Sequence, residues 1–241
     1  MCGRYTLYET GKLADRFKTS QPVFEFHDSY NVAPGQTMSI VMPAPLDSPA
    51  HTDGKDRMLE PMKWGLIPFW AKEAKIGYKL INARSEGAFD KPAWRGPIKR
   101  KRCLVPCHGF YEWKRSNSTN TKQPYFIRPR DQELFAFAGL YDTWKDPDGN
   151  EVWSYTIMTT APNAEMAGIH NRMPVILHPD DESLWLDPGL GEDKEERGVL
   201  EALLRPYADG QLEMYEVSSD VNVVRNGDKL GDKLIYPINS Q

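Results

Sequence analysis

The residues most able to do chemistry begin at the N-terminus, where the chain reads "MCGRY". Loss of Met1, which a small second residue generally permits, would leave Cys2 with a free α-amine and a thiol on adjacent carbons. Ordinary pKa values are about 7.7–8.0 for such an amine and about 8.5 for a thiol, so near pH 7.5 roughly a third of the amine is uncharged. A 1,2-aminothiol of this kind condenses with an aldehyde as a Schiff base, and the thiol then adds to close a five-membered thiazolidine. A cysteine that is simply a small buried residue is the alternative reading of position 2.

Three further stretches offer partners. In "LINARSEG" an apolar run delivers Asn82, Arg84 and Glu86 at alternate positions, so an extended chain would put an amide, a cation and a carboxylate on one face. The guanidinium fork of Arg84 suits phosphate; a strand end followed by a helix cap is the competing reading. In "HGFYEWK", Glu112 lies between Tyr111 and Trp113. Turned inward it would be a carboxyl of raised pKa fit for general acid–base work, and turned outward an ordinary surface glutamate. In "AGIHNRMPVIL", His170 and Arg172 sit in a short polar stretch before a strand, a proton shuttle beside a second phosphate fork, although a structural histidine fits as well. Trp70, in "IPFWAK", is placed at a turn where it could stack on an unpaired base, or pack in the core. Cys103, Cys107 and His108 fit a zinc site poorly, because no second Cys/His pair exists and "CLVPC" in a strand sends both thiols to one face as small core residues. No metal or other cofactor is expected.

These residues need strands to hold them. Apolar alternation predicts strands near Thr37–Met42 and in "MLEPMKWGLIP", then four β-rich runs, "RCLVPCHGFYEWK", "QPYFIRPR", "ELFAFAGLYDTW" and "VWSYTIMTTAP", read as successive antiparallel neighbours. "DPDGN" is a hairpin signal. Helical spacing predicts a short capped helix from Thr10 through Phe17, and helices in "APNAEMAGIH", "PDDESLWL" and "KEERGVLEALLRPYA", before a last strand near Met214–Val217. "GDKLGDKL" reads as a loop, as do the stretches near 43–57 and 115–123. Meander order with inserted helices implies an α+β fold, a single domain over 1–241 with its core in about 2–236.

Composition narrows the setting. At 241 residues, 40% hydrophobic and 27% charged, the chain has no apolar run near the ~20 residues that span a bilayer, and no signal peptide is apparent. Three cysteines leave at least one unpaired, which favours a reducing, cytoplasmic setting. The net charge of -4 hides an asymmetry. Between Arg84 and Arg130, twelve Lys/Arg stand against three acids, and between Asp180 and Glu216 the ratio is reversed. A basic face suited to phosphates is thus compatible with an acidic protein, as is a merely solvated surface.

Taken together, "MCGRY", "YNVAPGQ", "WGLIPFW", "LINARSEG", "GFYEWK" and "IHNRMPVIL", in this order, resemble the SOS-response-associated peptidase-like (SRAP) family from Met1 to about Tyr236. The resemblance implies an α+β domain with a mostly antiparallel, β-barrel-like core and peripheral helices. It implies binding of single-stranded DNA and processing of abasic sites, with the mature N-terminal cysteine, here Cys2, trapping the ring-opened sugar as a thiazolidine crosslink. Asn82 would orient Cys2, Glu112 would move protons, and His170 would assist the opened sugar and reversal. Arg4, Arg84 and Arg172 match phosphate-binding arginines, and Trp70 an aromatic stacked beside the lesion. A monomer acting on abasic single-stranded DNA, nucleoid-associated when bound and with unspecified replication-fork partners, is the expectation. Where members commonly carry "ADG", this chain has "CHG", adding Cys107 and His108 near Glu112. An N-terminal-cysteine peptidase, the idea behind the family's name, and a non-covalent single-strand-binding module are the other readings, and a lyase step through the imine is compatible with the first.

Overall fold

The structure, a computed structural model, describes residues 2–22, 24–45, 55–115 and 121–238. The alternating runs become strands β1 (Tyr5–Leu7), β2 (Ser29–Val32), β3 (Thr37–Pro43), β4 (Arg57–Trp64), β5 (Asn82–Arg84), β6 (Arg102–Cys107), β7 (Gly109–Arg115), β8 (Lys122–Pro129), β9 (Phe135–Lys145), β10 (Glu151–Thr160), β11 (Met173–Pro174), β12 (Ile176–Leu177) and β13 (Leu212–Glu216). Helices α1 (Leu13–Phe17), α2 (Pro97–Arg100), α3 (Ala164–Ala167), α4 (Pro179–Leu186), α5 (Lys194–Leu203) and α6 (Asn226–Leu230) lie between and around them. No helix among the described residues is long and apolar enough to cross a membrane.

The two longest strands form the expected hairpin. Asp146 Oδ1 accepts from the amides of Asp148 (2.9 Å) and Asn150 (2.8 Å), and Gly149 supplies the left-handed residue (φ 87°) that lets β9 turn back into β10. From there the chain closes on itself. The neighbours run β10–β4–β3–β6–β9, and β9 pairs again with β10, so five strands make a closed barrel with no exposed edge. Among the described strand pairs, those of β10 with β4 and with β5 are parallel and the rest antiparallel. Inside, Gly139 on β9 faces β6 so closely that a Cβ would stand 2.8 Å from Cys103 Sγ. Cys103 and Cys107 are accordingly core residues, and no group of His, Cys, Asp or Glu among the described residues could hold a metal.

A second sheet, β13–β8–β7–β1–β2, shares the barrel's hydrophobic core through Tyr5, Leu7, Val32, Phe110 and Ile127. It corrects the meander. "RCLVPCHGFYEWK" is two strands, β6 in the barrel and β7 in the second sheet, with the chain crossing over at His108, whose amide donates to Thr6 O (2.9 Å). The strands β8 and β9, adjacent in sequence, belong to different sheets and do not pair. Gly109 makes the crossover possible, since a Cβ there would lie 2.1 Å from the Phe126 ring.

Helix expectations hold for α4 and α5, the latter with a capping box between Asp193 and Glu196. The N-terminal helix differs. A 3-10 turn (Thr10–Lys12) precedes α1, and Thr10 donates its amide and hydroxyl to Asp28 Oδ1 (3.0 and 2.9 Å) instead of capping. "GDKLGDKL" is not a loop either: α6 is followed directly by a 3-10 turn, Gly231–Ile235, and Gly227 lets it approach β2, where a Cβ would come 2.9 Å from that of Asn31. The two loop elaborations fall largely on 46–54 and 116–120, outside the described residues.

His108 is buried at the crossover, its ring stacked on Tyr8 with centroids 3.8 Å apart. Burial pulls its pKa down to about 4, against the opposing pull of Glu9 and Asp28. Between the unfolded value of about 6.5 and that folded value the unfolded chain takes up a proton that the native chain refuses, so stability drops as pH falls through this window. Urea midpoints at pH 7 and pH 4.5 should show the native protein losing about 2–3 kcal/mol more than His108→Phe, which cannot titrate. Equal losses in both would assign the acid lability elsewhere.

Candidate functional site

The site is built where β1, β5 and β7 come together. Pairing of Tyr5 with Phe110, continued by the bond from Tyr111 N to Arg4 O (3.0 Å), carries the N-terminus along β7 toward Glu112. Cys2 is buried; its Sγ donates to Arg4 O (3.7 Å), and its carbonyl accepts from Asn82 Nδ2 (2.8 Å). Asn82 can reach it because β5 is held in parallel register on β10, Asn82 opposite Ile157. Its other amide atom, Oδ1, is buried with no hydrogen-bond partner among the described residues. Glu112 points inward and is buried. Burial first, and the Glu112 carboxylate second, push the Cys2 thiol far above its ordinary pKa, so it is held as a neutral thiol. Met1 lies outside the described residues.

One strand step away a second group assembles. Arg84, two residues beyond Asn82 on the same face of β5, is exposed opposite Thr159 at the end of β10. The chain then leaves the strand in a 3-10 turn, Ser85–Gly87, so the expected third member of that face, Glu86, is turned away. Glu86 instead occupies the fork of Arg172 through both guanidinium nitrogens, and Arg172 holds the Glu86 carboxyl below its ordinary pKa. Arg172 Nη2 also donates to Thr159 O (2.7 Å), and Arg172 N donates to His170 Nδ1 (3.1 Å), which fixes the imidazole. The structure therefore joins Cys2 and Asn82 by a hydrogen bond, with the Glu112 carboxylate near enough to act on the Cys2 thiol, and gathers Arg84, His170 and Arg172 on the neighbouring edge.

Arg4 is half-buried, and its Nη1 donates to Asn31 Oδ1 (3.1 Å) and Val221 O (3.0 Å), tying β1 to β2 and the C-terminal segment. Sequence reasoning did not anticipate that duty. The basic window also needs correction: its twelve cations do not form one face. Arg102 is buried and donates to Trp185 O (2.7 Å), Ile98 O and Lys99 O (both 2.6 Å), while Lys101 pairs with Asp142, Lys99 and Arg100 with Glu192, and Arg128 with Glu213.

What concentrates at the surface is a turn of aromatics. Phe69 and Trp70 are 70% and 48% exposed. Sequence reasoning missed what fixes them. Asp142, buried in β9, accepts from Phe69 N (2.9 Å) and from Lys101 Nζ (2.6 Å), and Trp144 Nε1 donates to Ala71 O (2.6 Å). A single acid in an apolar run was the only available signal. A groove of about 470 Å³ connects Trp70 to Asn82 and Arg84, with Lys79 and Lys91 on its walls.

Residues 1–224 match the family described as SOS response associated peptidase (SRAP). The chain is 44% identical over 229 residues to "Abasic site processing protein YoqW" of Bacillus subtilis (strain 168), an alignment covering 94% of this chain and 96% of that protein. It is 34% identical over 227 residues to "Abasic site processing protein HMCES" of Rattus norvegicus, covering 82% of this chain and 62% of the relative. Among solved structures, a protein from Bacteroides thetaiotaomicron superposes with a TM-score of 0.84 at 27% identity, covering 98% of this chain and 99% of the other.

Proposed function

The chain belongs to the SOS response associated peptidase (SRAP) family, and from that premise we propose that it processes abasic sites by binding single-stranded DNA and capturing the lesion covalently through Cys2 once Met1 is removed. The observation that carries this reading is the anchoring of Cys2: Asn82 grips its carbonyl at 2.8 Å, beside the buried Glu112.

The chemistry follows from the state of the two groups. With the thiol held neutral, the amine attacks first, at the C1 aldehyde of the ring-opened deoxyribose, and water leaves to give an imine. The Cys2 sulfur then adds to the imine carbon, and the thiol proton passes to the nitrogen, by way of Glu112, closing the thiazolidine with a net loss of one water. The vacant acceptor of Asn82, Oδ1, is available to an N–H of the amine or of the protonated imine. His170 serves the opening sugar as proton donor. Arg84, Arg172 and Arg4 take phosphates, Arg172 exchanging the Glu86 carboxylate for one, and Trp70 stacks at the neighbouring base. Direct peptidase action would need Cys2 as a thiolate, which burial and Glu112 both oppose.

Intact mass after incubation with an abasic oligonucleotide should read the sum of protein and DNA less one water, and incubation with an unmodified strand should add nothing. Covalent mass with neither strand would sink the capture chemistry.

A further inference from the structure

Between the aromatic turn and β5 the chain makes a 3-10 turn, Ala74–Lys79, that projects Tyr78 into solvent with 65% of its surface exposed. The Tyr78 hydroxyl has no hydrogen bond among the described residues, so packing and polar satisfaction leave the placement of the ring unexplained. Its backbone, by contrast, is fixed. Gly77 lies against Gly65 so tightly that a Cβ on Gly77 would be 2.5 Å from Gly65 O, and one on Gly65 would be 2.7 Å from Gly77 O. Gly65 is in turn bonded to the barrel through Tyr155 O (2.8 Å), and Leu80 N closes the turn on Gly77 O (2.9 Å). The Tyr78 ring edge runs beside Gly35, where a Cβ would sit 3.4 Å from Cε1. A rigid mount thus carries an uncovered aromatic.

Its surroundings suit an anion with flat, apolar parts. Tyr78 and Trp70 line one groove of about 600 Å³ together with Ile76, Lys72, Lys75 and Lys79. Lys75 is paired with Glu73, whereas Lys72 and Lys79 have no acidic partner among the described residues. Trp70, Ile76 and Lys79 also line the groove that leads to Asn82 and Arg84. The two grooves therefore adjoin, sharing Trp70, Ile76 and Lys79.

We propose that Tyr78 is a second base-stacking platform, so that a strand of unpaired nucleotides continues past Trp70 over the 74–79 turn with its phosphates against Lys72 and Lys79. This rests on the single-strand reading above and extends it to a longer footprint on one side of the lesion. Aromatic rings stack on any base, and lysines meet the backbone as point charges, so the extension is indifferent to sequence.

The test uses full-length protein and a series of oligonucleotides lengthened one nucleotide at a time on the 5′ or the 3′ side of a central reduced, unreactive abasic analogue. Anisotropy should show affinity rising in a step as one side, and not the other, grows past Trp70. Tyr78→Ala should lower affinity for the long strand about tenfold relative to the shortest one, Tyr78→Phe should restore it, and Lys72→Ala or Lys79→Ala should reduce the salt slope by about one. Urea midpoints confirm that each variant is folded. Equal loss on short and long strands, or none, overturns the platform while native binding and capture stand. Absence of binding by the native protein to every strand overturns both readings.

Discussion

Cys2→Ala is expected to lower the yield of heat-stable adduct with abasic DNA by more than a hundredfold. The variant keeps an α-amine and can still form an imine, but the imine is in equilibrium with water and does not survive denaturation. Ring closure is what makes the product persist. A thiol on the carbon next to the one that bears the imine nitrogen acts at an effective molarity on the order of 10⁵ M or higher, so no free thiol in solution replaces it. A chain that retains Met1 should fail equally, for a different reason: its Cys2 nitrogen is an amide and cannot attack the aldehyde. Denaturing gels with borohydride added at mixing, followed by peptide mass mapping, separate the two failures, because reduction fixes the DNA on the residue-2 nitrogen of Cys2→Ala, whereas with Met1 retained that nitrogen is an amide and carries nothing. Unreduced heat-stable adduct from Cys2→Ala at the native yield would end the thiazolidine mechanism. Cys2 is wholly buried, so urea midpoints must accompany the assay to exclude a folding defect as the cause.

Local chemistry explains which parts of this molecule were legible in the sequence. The β9–β10 hairpin was, because Asp146 and Gly149 encode the turn within five residues. Helix α5 was, because its cap is a local capping box. The barrel-like core was legible through the family resemblance and not through periodicity, since its closure depends on β9 accepting both β6 and β10, strands separated by tens of residues. The crossover at His108 was hidden for the same reason: Gly109 is required there by the Phe126 ring, sixteen positions or more away in the chain and invisible to periodicity. At the site, alternation left the direction of Glu112 open, and pairing of β7 with β1 turns it inward beside Cys2. The association of Cys2 with Asn82 came from resemblance to a family, and the structure supplies its physical form in one hydrogen bond. Charge misled most. Counting cations between Arg84 and Arg130 suggested a face, yet Arg102 is a core residue whose donors satisfy helix-end carbonyls, and four others, Lys99, Arg100, Lys101 and Arg128, are paired with acids far along the chain.

The same blindness hides the residue whose loss should cost the fold most. In "PDDESLWL" the sequence indicates only a helix; in the structure Asp180 is exposed in the first turn of α4, but Glu182 is buried. Its Oε1 accepts from Arg16 Nη2 (2.7 Å), and its Oε2 accepts from Arg16 Nη1 (3.2 Å) and Arg57 Nη1 (3.4 Å), so one carboxylate joins α4 to α1 and to the start of β4. Arg57 is itself buried, with Ser183 Oγ as a further partner at 2.7 Å. Glu182→Ala removes the one carboxylate that, among the described residues, pairs with these two guanidinium groups, which cannot deprotonate, and leaves a buried charge uncompensated. The expected loss is about 3–5 kcal/mol, a large part of the roughly 5–15 kcal/mol that keeps a domain folded, and the thermal midpoint should fall by roughly 10 °C. Glu182→Gln, which keeps the volume and some of the hydrogen bonds, should lose less. Replacing Arg16, Arg57 and Glu182 together with apolar residues of similar size should recover much of the deficit, because the penalty lies in the stranded charges more than in the lost attraction. At temperatures where Glu182→Ala remains folded, its adduct yield should match the native protein's, since the cluster fastens α4 beneath the barrel wall and touches none of Cys2, Asn82 or Glu112. A melting midpoint within about 2 °C of native would mean that water reaches Arg57 and solvates it when the carboxylate is gone.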